Sequence, residues 1–246
     1  MPVFFIASHQ IRNGTVTITG DLLNHLRASL RIEIGERIWL CDEHHRRYHV
    51  HVAQLNKREL SGTVLEERQA PPSRNPSIVL AQAILKGDRM DWVIQKATEL
   101  GVRAIIPLLT RRGVVRPTAL RVESQQARWQ RIALEAAQQS EQWTVPSIRL
   151  PMNAETFFTQ PGDFSAKLIL SERVEGHSLR SLPLPNGSEA SLAVVIGPEG
   201  GWTPEETALA ERGGFTSVTL GSRILRAETA ALASVSVLQS RLGELG

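Results

Sequence analysis

A buried strand that runs into a glycine-rich loop near the C-terminus constrains the fold more than any other stretch of this 246-residue chain. Residues 192–196 form an apolar run rich in β-branched side chains, and residues 197–201, with the letters GPEGG, follow directly. A short apolar run stopped by glycine and proline predicts a strand buried on both faces. Such strands occur in parallel sheets covered by helices, so the stretch favours an α/β fold.

The residues after this loop predict a helix with defined ends. Thr203 stands where an N-cap belongs, Pro204 takes the first helical position and Glu206 the third, a pattern that indicates a capping box. The glycine pair 213–214 ends the helix. Residues 215–220 predict a further strand, which is followed by a second loop and by a closing helix at 227–242.

Strand and helix patterns alternate throughout the C-terminal two thirds of the chain. They cover residues 78–85, 88–100, 102–109, 120–140 and 167–170, together with the elements above. This alternation predicts a parallel sheet with helices on both faces. In such sheets ligands bind beyond the carboxyl ends of the strands, so loops 197–201 and 221–226 are candidates for one pocket.

Residues 1–70 predict a separate β-rich domain. Residues 15–19 alternate strictly, Asp21 is placed to cap a short helix, and several short strand patterns follow at regular spacing. Short strands at this spacing predict a small barrel. Residues 71–76 contain three prolines and predict a linker, after which residues 77–246 form the second domain.

Composition narrows the class of protein. No apolar run has membrane-spanning length, the N-terminus lacks a signal-peptide pattern, and the single cysteine, Cys41, suits a reducing cytoplasm. Only four of the 28 basic residues are lysines. Because arginine matches phosphate bidentately, this bias favours a nucleic-acid partner, although genomic base composition also sets the ratio.

Several kinds of site can be excluded from the motifs. The chain has no Walker A sequence and no Gly-x-Ser-x-Gly elbow, and its glycine loop lacks the dinucleotide-binding spacing. Four histidines crowd one hairpin, at positions 44, 45, 49 and 51, but no cysteine or carboxylate stands at ligand spacing beside them. We therefore expect no metal, and a solvated or RNA-facing hairpin.

The two glycine loops belong to a set of motifs that resembles one family. The set comprises residues 197–201, 220–230, 86–91, 95–102, 128–132, 135–140 and 145–146, with Leu30, Arg31 and Gly35 near the N-terminus. Together they resemble the bacterial 16S rRNA (uracil-N3) methyltransferases of the SPOUT superfamily, over nearly the whole chain. The chain departs from that pattern at Val3, Gly113 and Gln142, which affects expected RNA contacts but leaves the loops intact.

The resemblance implies a fold, a cofactor and partners. The fold is a PUA-like RNA-binding β-barrel before a SPOUT-type parallel sheet with a C-terminal trefoil knot. The activity is S-adenosylmethionine-dependent methylation of uracil N3 at a decoding-region uridine of 16S rRNA, in the small ribosomal subunit. The enzyme would be a cytoplasmic homodimer, with the closing helix near the subunit interface. A monomer that buries this helix internally is the alternative.

The resemblance also implies site residues. The expected cofactor pocket combines glycine-permissive turns with apolar walls, and comprises Leu170, Ile196, Gly197, Gly200, Gly201, Leu220, Gly221, Ile224, Leu225, Thr229 and Ala230. The uracil imide proton must leave before N3 can be methylated. Glu199 or Glu228 could accept it, and Arg226 could stabilise the charge that develops on the carbonyl oxygens. Each carboxylate could instead have a structural role.

Basic residues on both domains are candidate RNA contacts. They are Arg27, Arg31, Lys86, Arg89, Lys96, Arg111, Arg112, Arg116 and Arg223. For Lys96 an ion pair with Glu99, three residues away on one helix, is the alternative. Two other functions stay open: a SPOUT enzyme that methylates a different base or a ribose 2′-oxygen, and a non-catalytic ribosome-assembly protein that binds RNA.

Overall fold

A change from alternating to continuous apolar patterns near residue 73 coincides with a division of the chain into two units. The computed structural model describes residues 2–171 and 177–245. One unit comprises Met1–Pro72 with Ala137–Thr144, and the other comprises Ser73–Ala136 with Val145–Gly246.

The N-terminal unit contains a six-stranded sheet and one α-helix. Its elements are β1 (Val3–Phe5), β2 (Ile11–Arg12), β3 (Thr15–Ile18), α1 (Gly20–Ala28), β4 (Arg37–Cys41), β5 (Arg46–Leu55) and β6 (Leu60–Gln69). The strand order is β1-β4-β5-β6-β3-β2, in which only β1 and β4 pair in parallel. Alternate residues such as Ile38, Leu40 and Val50 form the core with Leu23 and Leu26 of α1.

Helix α1 begins earlier than the sequence pattern predicts. Its N-cap is Thr19 and its first residue is Gly20, so Asp21 lies in the first turn and the prediction that Asp21 caps the helix is wrong. Gly20 has a φ of +67°, a left-handed conformation that glycine adopts without strain. The backbone can therefore enter the helix with its cap two residues earlier than predicted.

The C-terminal unit alternates strands and helices. Its elements are β7 (Ser77–Ala83), α2 (Arg89–Glu99), β8 (Ala104–Leu109), α3 (Ala119–Gln139, whose last residues are assigned to the other unit), β9 (Ser147–Ile148), β10 (Met152–Asn153), α4 (Ala154–Thr159), β11 (Ala166–Leu170), β12 (Ser191–Ile196), α5 (Pro204–Arg212), β13 (Thr216–Val218) and α6 (Ala227–Leu242). The strand order is β10-β8-β7-β12-β11-β13, and β9 also pairs with β8. Every pairing is parallel, which confirms the predicted sheet.

Strand β12 lies in the interior of this sheet, and its two faces belong to two apolar clusters. Leu192 and Val194 lie in one cluster with residues of α2 and α6, whereas Val195 lies in the other with Phe158 and Phe215. Helices therefore cover both faces, which explains the uninterrupted apolar run.

Helix α6 is buried largely within its own chain. Ala231, Val235 and Leu238 are fully buried and belong to the cluster that contains Val194. Part of its wide apolar arc is therefore covered by its own chain. Helix α6 ends at Leu242. Gly243 follows as its C-cap, in the left-handed conformation with a φ of +79°.

Candidate binding pocket at the carboxyl ends of the parallel strands

Three neighbouring strands end at the same edge of the sheet. Because β12, β11 and β13 are adjacent and parallel, their carboxyl ends converge. A cavity of about 630 Å³ lies at this edge, a volume typical of a small-molecule site. Its lining consists of Arg89, Arg112, Leu170, Ser171, Ile196, Gly197, Pro198, Glu199, Gly200, Gly201, Trp202, Thr207, Thr219, Leu220, Arg223, Ile224, Leu225, Arg226, Ala227 and Ala230.

Trp202 forms part of the wall and fixes the glycine loop after β12. Its indole lies so close to Gly197 that a Cβ on that residue would stand 3.1 Å from the ring. The indole Nε1 donates a hydrogen bond to the backbone oxygen of Leu170 at 3.1 Å, and the ring contacts Phe158 edge-on. Trp202 therefore joins the end of β11 to the loop after β12.

The start of α5 carries a buried carboxylate. Thr203 Oγ1 accepts a hydrogen bond from the Glu206 amide, and Glu206 Oε2 accepts one from the Thr203 amide, which confirms the predicted capping box. The other oxygen of Glu206 accepts a hydrogen bond from the backbone amide of Arg111 at 2.8 Å. This long-range bond holds the loop after β8 against α5, and the local capping pattern gives no indication of it.

The loop after β13 forms the opposite wall. Thr219 Oγ1 accepts a hydrogen bond from the Gly221 amide at 3.2 Å and donates one to the Gly221 oxygen at 3.1 Å. Gly221 has a φ of +124°, which side chains disfavour. Leu220 and Leu225 line the cavity, and Ile224 beside them is 62% exposed. A ligand in the cavity could cover this exposed apolar side chain.

Arg89 lies between the two carboxylates that are candidate proton acceptors. Its Nη1 donates to Glu199 Oε1 at 3.1 Å, and its Nε is 3.9 Å from Glu228 Oε1. Glu199 lines the cavity and also accepts a bond from the Lys86 amide at 3.4 Å. Glu228 does not line the cavity, and its buried Oε2 has no hydrogen-bond partner among the described residues.

The four arginines of the cavity differ in what they bind. Arg89 pairs with the carboxylates, and Arg112 donates to two backbone oxygens of the glycine loop. The guanidinium groups of Arg223 and Arg226 make no hydrogen bond or ion pair with any residue in the described ranges 2–171 and 177–245. Both residues are exposed, so both can bind an incoming anionic or carbonyl group.

Nine of the eleven residues predicted for cofactor binding line the cavity, whereas Gly221 and Thr229 do not. The residues that the prediction missed are Ser171, Pro198, Trp202, Thr207, Thr219 and Ala227. Most of them directly adjoin predicted positions in the sequence. Adjacency to the glycine loop is therefore the signal that could have indicated Trp202.

Most predicted RNA contacts of this unit are engaged with other residues. Lys96 pairs with Glu99 at 2.7 Å, as the alternative interpretation expected. Arg111 pairs with Glu155 at 2.7 Å and Glu205 at 3.6 Å. Arg116 donates to the backbone oxygen of Thr110 at 3.3 Å, and Lys86 is exposed.

Arg27 and Arg31 lie together on the N-terminal unit. They line a second cavity of about 590 Å³, with Ile32 and Leu55 among its other residues. Arg31 adopts a left-handed φ of +53°, which is uncommon for a residue with a side chain. Because both arginines line this cavity, they can present adjacent positive charges to one ligand.

Among the described residues, two kinds of feature are absent: a cluster of potential metal ligands and a helix able to cross a membrane. No group of three or more histidine, cysteine, aspartate or glutamate side chains there could hold a metal ion. In the histidine-rich hairpin formed by β4 and β5, His49 stacks on Trp39, with ring centroids 4.6 Å apart. None of the described helices combines the length and apolar character that crossing a membrane requires.

Known proteins are similar to this chain in sequence and in fold. The family model described as an RNA methyltransferase domain matches residues 72–239, and that of an RNA methyltransferase PUA domain matches residues 18–65. Ribosomal RNA small subunit methyltransferase E of Synechocystis is 36% identical over 242 residues, which cover 95% of this chain and 76% of that protein.

Two solved structures extend the likeness to the whole fold. Ribosomal RNA small subunit methyltransferase E from Neisseria gonorrhoeae, bound to S-adenosyl methionine, is 34% identical and superposes with a TM-score of 0.87 over 98% of both chains. A methyltransferase from Legionella pneumophila in complex with the same cofactor is 30% identical, with a TM-score of 0.88 over 97% of both chains.

Proposed function

Because the chain belongs to the RNA methyltransferase family, with a PUA domain before its α/β methyltransferase domain, we propose that it methylates N3 of a decoding-region uridine in 16S rRNA with S-adenosylmethionine as methyl donor. The observation that supports this most is the cavity between the two glycine loops, which is lined by two arginines whose side chains have no partner among the described residues. Relatives with this sequence pattern are named as enzymes of the small ribosomal subunit, and two similar structures contain this cofactor.

The lining of the cavity suits S-adenosylmethionine. This molecule has an adenine, ribose hydroxyls and a sulfonium but no phosphate, so it requires apolar walls and backbone polar groups. Leu170, Leu220 and Leu225 supply apolar contacts, and the glycine loop 197–201 contributes backbone groups to the lining. Bound there, the molecule supplies an activated methyl group and becomes S-adenosylhomocysteine on transfer.

Glu199 is the better placed of the two candidate proton acceptors. It lines the cavity, and Arg89 and the Lys86 amide both orient its Oε1. Its Oε2 can accept the uracil N3 proton, after which the N3 lone pair forms the bond to the methyl carbon. Glu228 lies behind Arg89, where it helps to position that guanidinium.

Arg226 has the geometry for electrostatic stabilisation of the reacting base. It is the residue before α6, lines the cavity and makes no ion pair with any described side chain. Loss of the imide proton places negative charge on the flanking uracil oxygens. A guanidinium held at the cavity wall lowers the energy of that charge.

Three exposed or partly exposed arginines fit a role in holding RNA. Arg223 lies at the cavity, and Arg27 and Arg31 form a pair on the PUA domain. Phosphate contacts of this kind position a nucleic acid without reading its sequence. The target uridine would leave its stack to enter the cavity.

The proposed setting is the cytoplasm, and the proposed oligomer is a homodimer. A mass measurement in solution tests the oligomeric state.

The reaction can be tested on the natural substrate. Small ribosomal subunits from a strain lacking this gene would be incubated with the protein and S-adenosylmethionine, and primer extension on 16S rRNA would locate the modification. A single new stop at a decoding-region uridine supports the proposal. A stop at another base or a ribose methylation would assign a different target, and failure to bind the cofactor in calorimetry would indicate a non-catalytic RNA-binding protein.

A further inference from the structure

We propose that Arg112 is a positioning residue of the methyl-donor pocket, an inference that rests on the function proposed above. Arg112 belongs to the loop after β8. Its Nη1 donates hydrogen bonds to the backbone oxygens of Gly200 at 3.0 Å and Trp202 at 3.3 Å. The side chain thus ties two peptide groups of the glycine loop to a different part of the sheet.

Gly200 and Arg112 also fit each other in shape. A Cβ on Gly200 would lie 3.2 Å from the Cβ of Arg112 and 3.6 Å from its Cδ. The backbone of the glycine loop therefore packs directly on the arginine stem, while the guanidinium binds the carbonyl oxygens. Only a residue without a side chain at position 200 allows this approach without a shift of the neighbour.

The loop that carries Arg112 is held in place independently of the Arg112 side chain. Buried Glu206 accepts a hydrogen bond from the Arg111 amide, and the Arg111 guanidinium pairs with Glu155. Removing the Arg112 guanidinium therefore leaves its own loop anchored. The change instead affects the glycine loop, because the backbone oxygens of Gly200 and Trp202 lose their hydrogen-bond donor.

This arrangement differs from that of an arginine that binds RNA. The side chains of Arg223 and Arg226 have no hydrogen-bond partner in the described part of the chain, so they are available to a substrate. The Arg112 guanidinium instead binds two carbonyl groups of the cofactor loop. Charge-assisted hydrogen bonds of this kind are stronger than those between neutral groups. Arg112 is therefore expected to set cofactor affinity and not RNA affinity.

The test compares full-length Arg112→Met with the wild-type protein. Methionine retains much of the unbranched stem but has no donor and no charge. In calorimetry without RNA, the Kd for S-adenosylmethionine should rise about tenfold, which corresponds to about 1.4 kcal/mol. The KM for S-adenosylmethionine should rise similarly, while kcat at saturating cofactor stays within about twofold of wild type.

An RNA titration separates this role from a phosphate contact. Binding of a 16S rRNA decoding-region fragment would be measured at several salt concentrations. Loss of one phosphate contact lowers the magnitude of the slope of log K against log salt by roughly 0.7 to 0.9. Because Arg112 is proposed to bind the glycine loop and not a phosphate, Arg112→Met should have the same slope as the wild-type protein. Arg121→Met is the matched control, since it removes an exposed arginine near the start of α3 and should leave cofactor affinity unchanged.

The outcomes are distinguishable. An unchanged cofactor Kd together with a reduced salt slope would make Arg112 an RNA contact and overturn the inference. Wild-type protein that binds no S-adenosylmethionine would refute the proposed function itself. If Arg112→Met does not fold, Gly200→Ala provides a second test, because its Cβ pushes against the arginine stem. An unchanged Kd in that variant would also contradict the proposal.

Discussion

The indole Nε1 of Trp202 lies 3.1 Å from the backbone oxygen of Leu170 and donates a hydrogen bond to it. This bond joins the end of β11 to the loop after β12 at one wall of the cavity. The Leu170 oxygen therefore has a hydrogen-bond partner within the chain and does not require one from a ligand.

Replacing Trp202 with phenylalanine tests this bond. Phe keeps an aromatic ring against Gly197 but cannot donate, so we expect S-adenosylmethionine to bind about three- to tenfold more weakly. Titration calorimetry measures the change. Trp92→Phe, at an exposed tryptophan of α2, is the control and should bind normally. Equal affinity for Trp202→Phe would show that the bond does not shape the pocket.

Glu199→Gln should reduce methyl transfer far more than cofactor binding. The amide cannot accept the imide proton, so kcat should fall by about 10²-fold or more, with the cofactor Kd nearly unchanged. Single-turnover transfer from labelled cofactor measures the rate. Glu228→Gln is the comparison and should reduce the rate less. The opposite order of effects would assign the proton acceptor to Glu228.

Arg226→Ala should abolish detectable transfer. Loss of one preorganised cation beside a developing negative charge typically costs about 10²- to 10³-fold in rate. Cofactor affinity should stay within about tenfold of wild type, or about 1.4 kcal/mol. A fully active variant would remove Arg226 from the proposed mechanism.

Gly213→Ala should strongly destabilise the C-terminal unit. A Cβ there would lie 2.1 Å from the backbone oxygen of Phe158, which cannot move without disturbing α4. A loss of about 2–4 kcal/mol in the free energy of unfolding is expected. Gly214→Ala, at the neighbouring residue, is the control. An alanine at a φ of +82° costs about 1 kcal/mol, but no other atom lies within 4 Å of where its Cβ would stand. Denaturant unfolding of both variants measures the difference.

The N-terminal unit should lose stability in alkaline solution. Burial raises the pKa of the Cys41 thiol from 9.0 to about 11. Burial and a hydrogen bond to Asp42 raise the pKa of Tyr48 from 10.0 to about 12. A raised folded-state pKa contributes stability that is complete below the unfolded value and is lost as pH rises through the folded one.

The free energy of unfolding should therefore begin to fall near pH 9 and should continue to fall up to about pH 12. About 1–3 kcal/mol of the free energy of unfolding should be lost over that window. Urea unfolding from pH 8 upward measures it. Cys41→Ser removes the thiol titration, so its stability should depend less on pH between 9 and 11. An identical dependence would show that Cys41 does not contribute.

The sequence predicted the elements of the pocket better than the partners of individual side chains. Local patterns sufficed for the helix cap at Thr203, because caps depend on nearby residues. Nine of the positions predicted for cofactor binding line one cavity, and their contact with the cofactor stays a prediction. Local patterns gave no indication of contacts that join distant segments. Arg112, expected at RNA, binds the glycine loop, and Arg89 lies between two carboxylates from different loops. The homodimer and the knot implied by the family resemblance stay predictions.

Taken alone, the amino-acid sequence determined an α/β unit after a β-rich one, with two glycine loops at the carboxyl ends of parallel strands. Apolar periodicity and glycine conformations are properties of neighbouring residues, so they can be deduced from sequence order. Only the tertiary structure decided which arginines remain available for substrate. That depends on residues as far apart as Arg112 and Gly200 reaching hydrogen-bond distance, which the packing of the whole sheet sets.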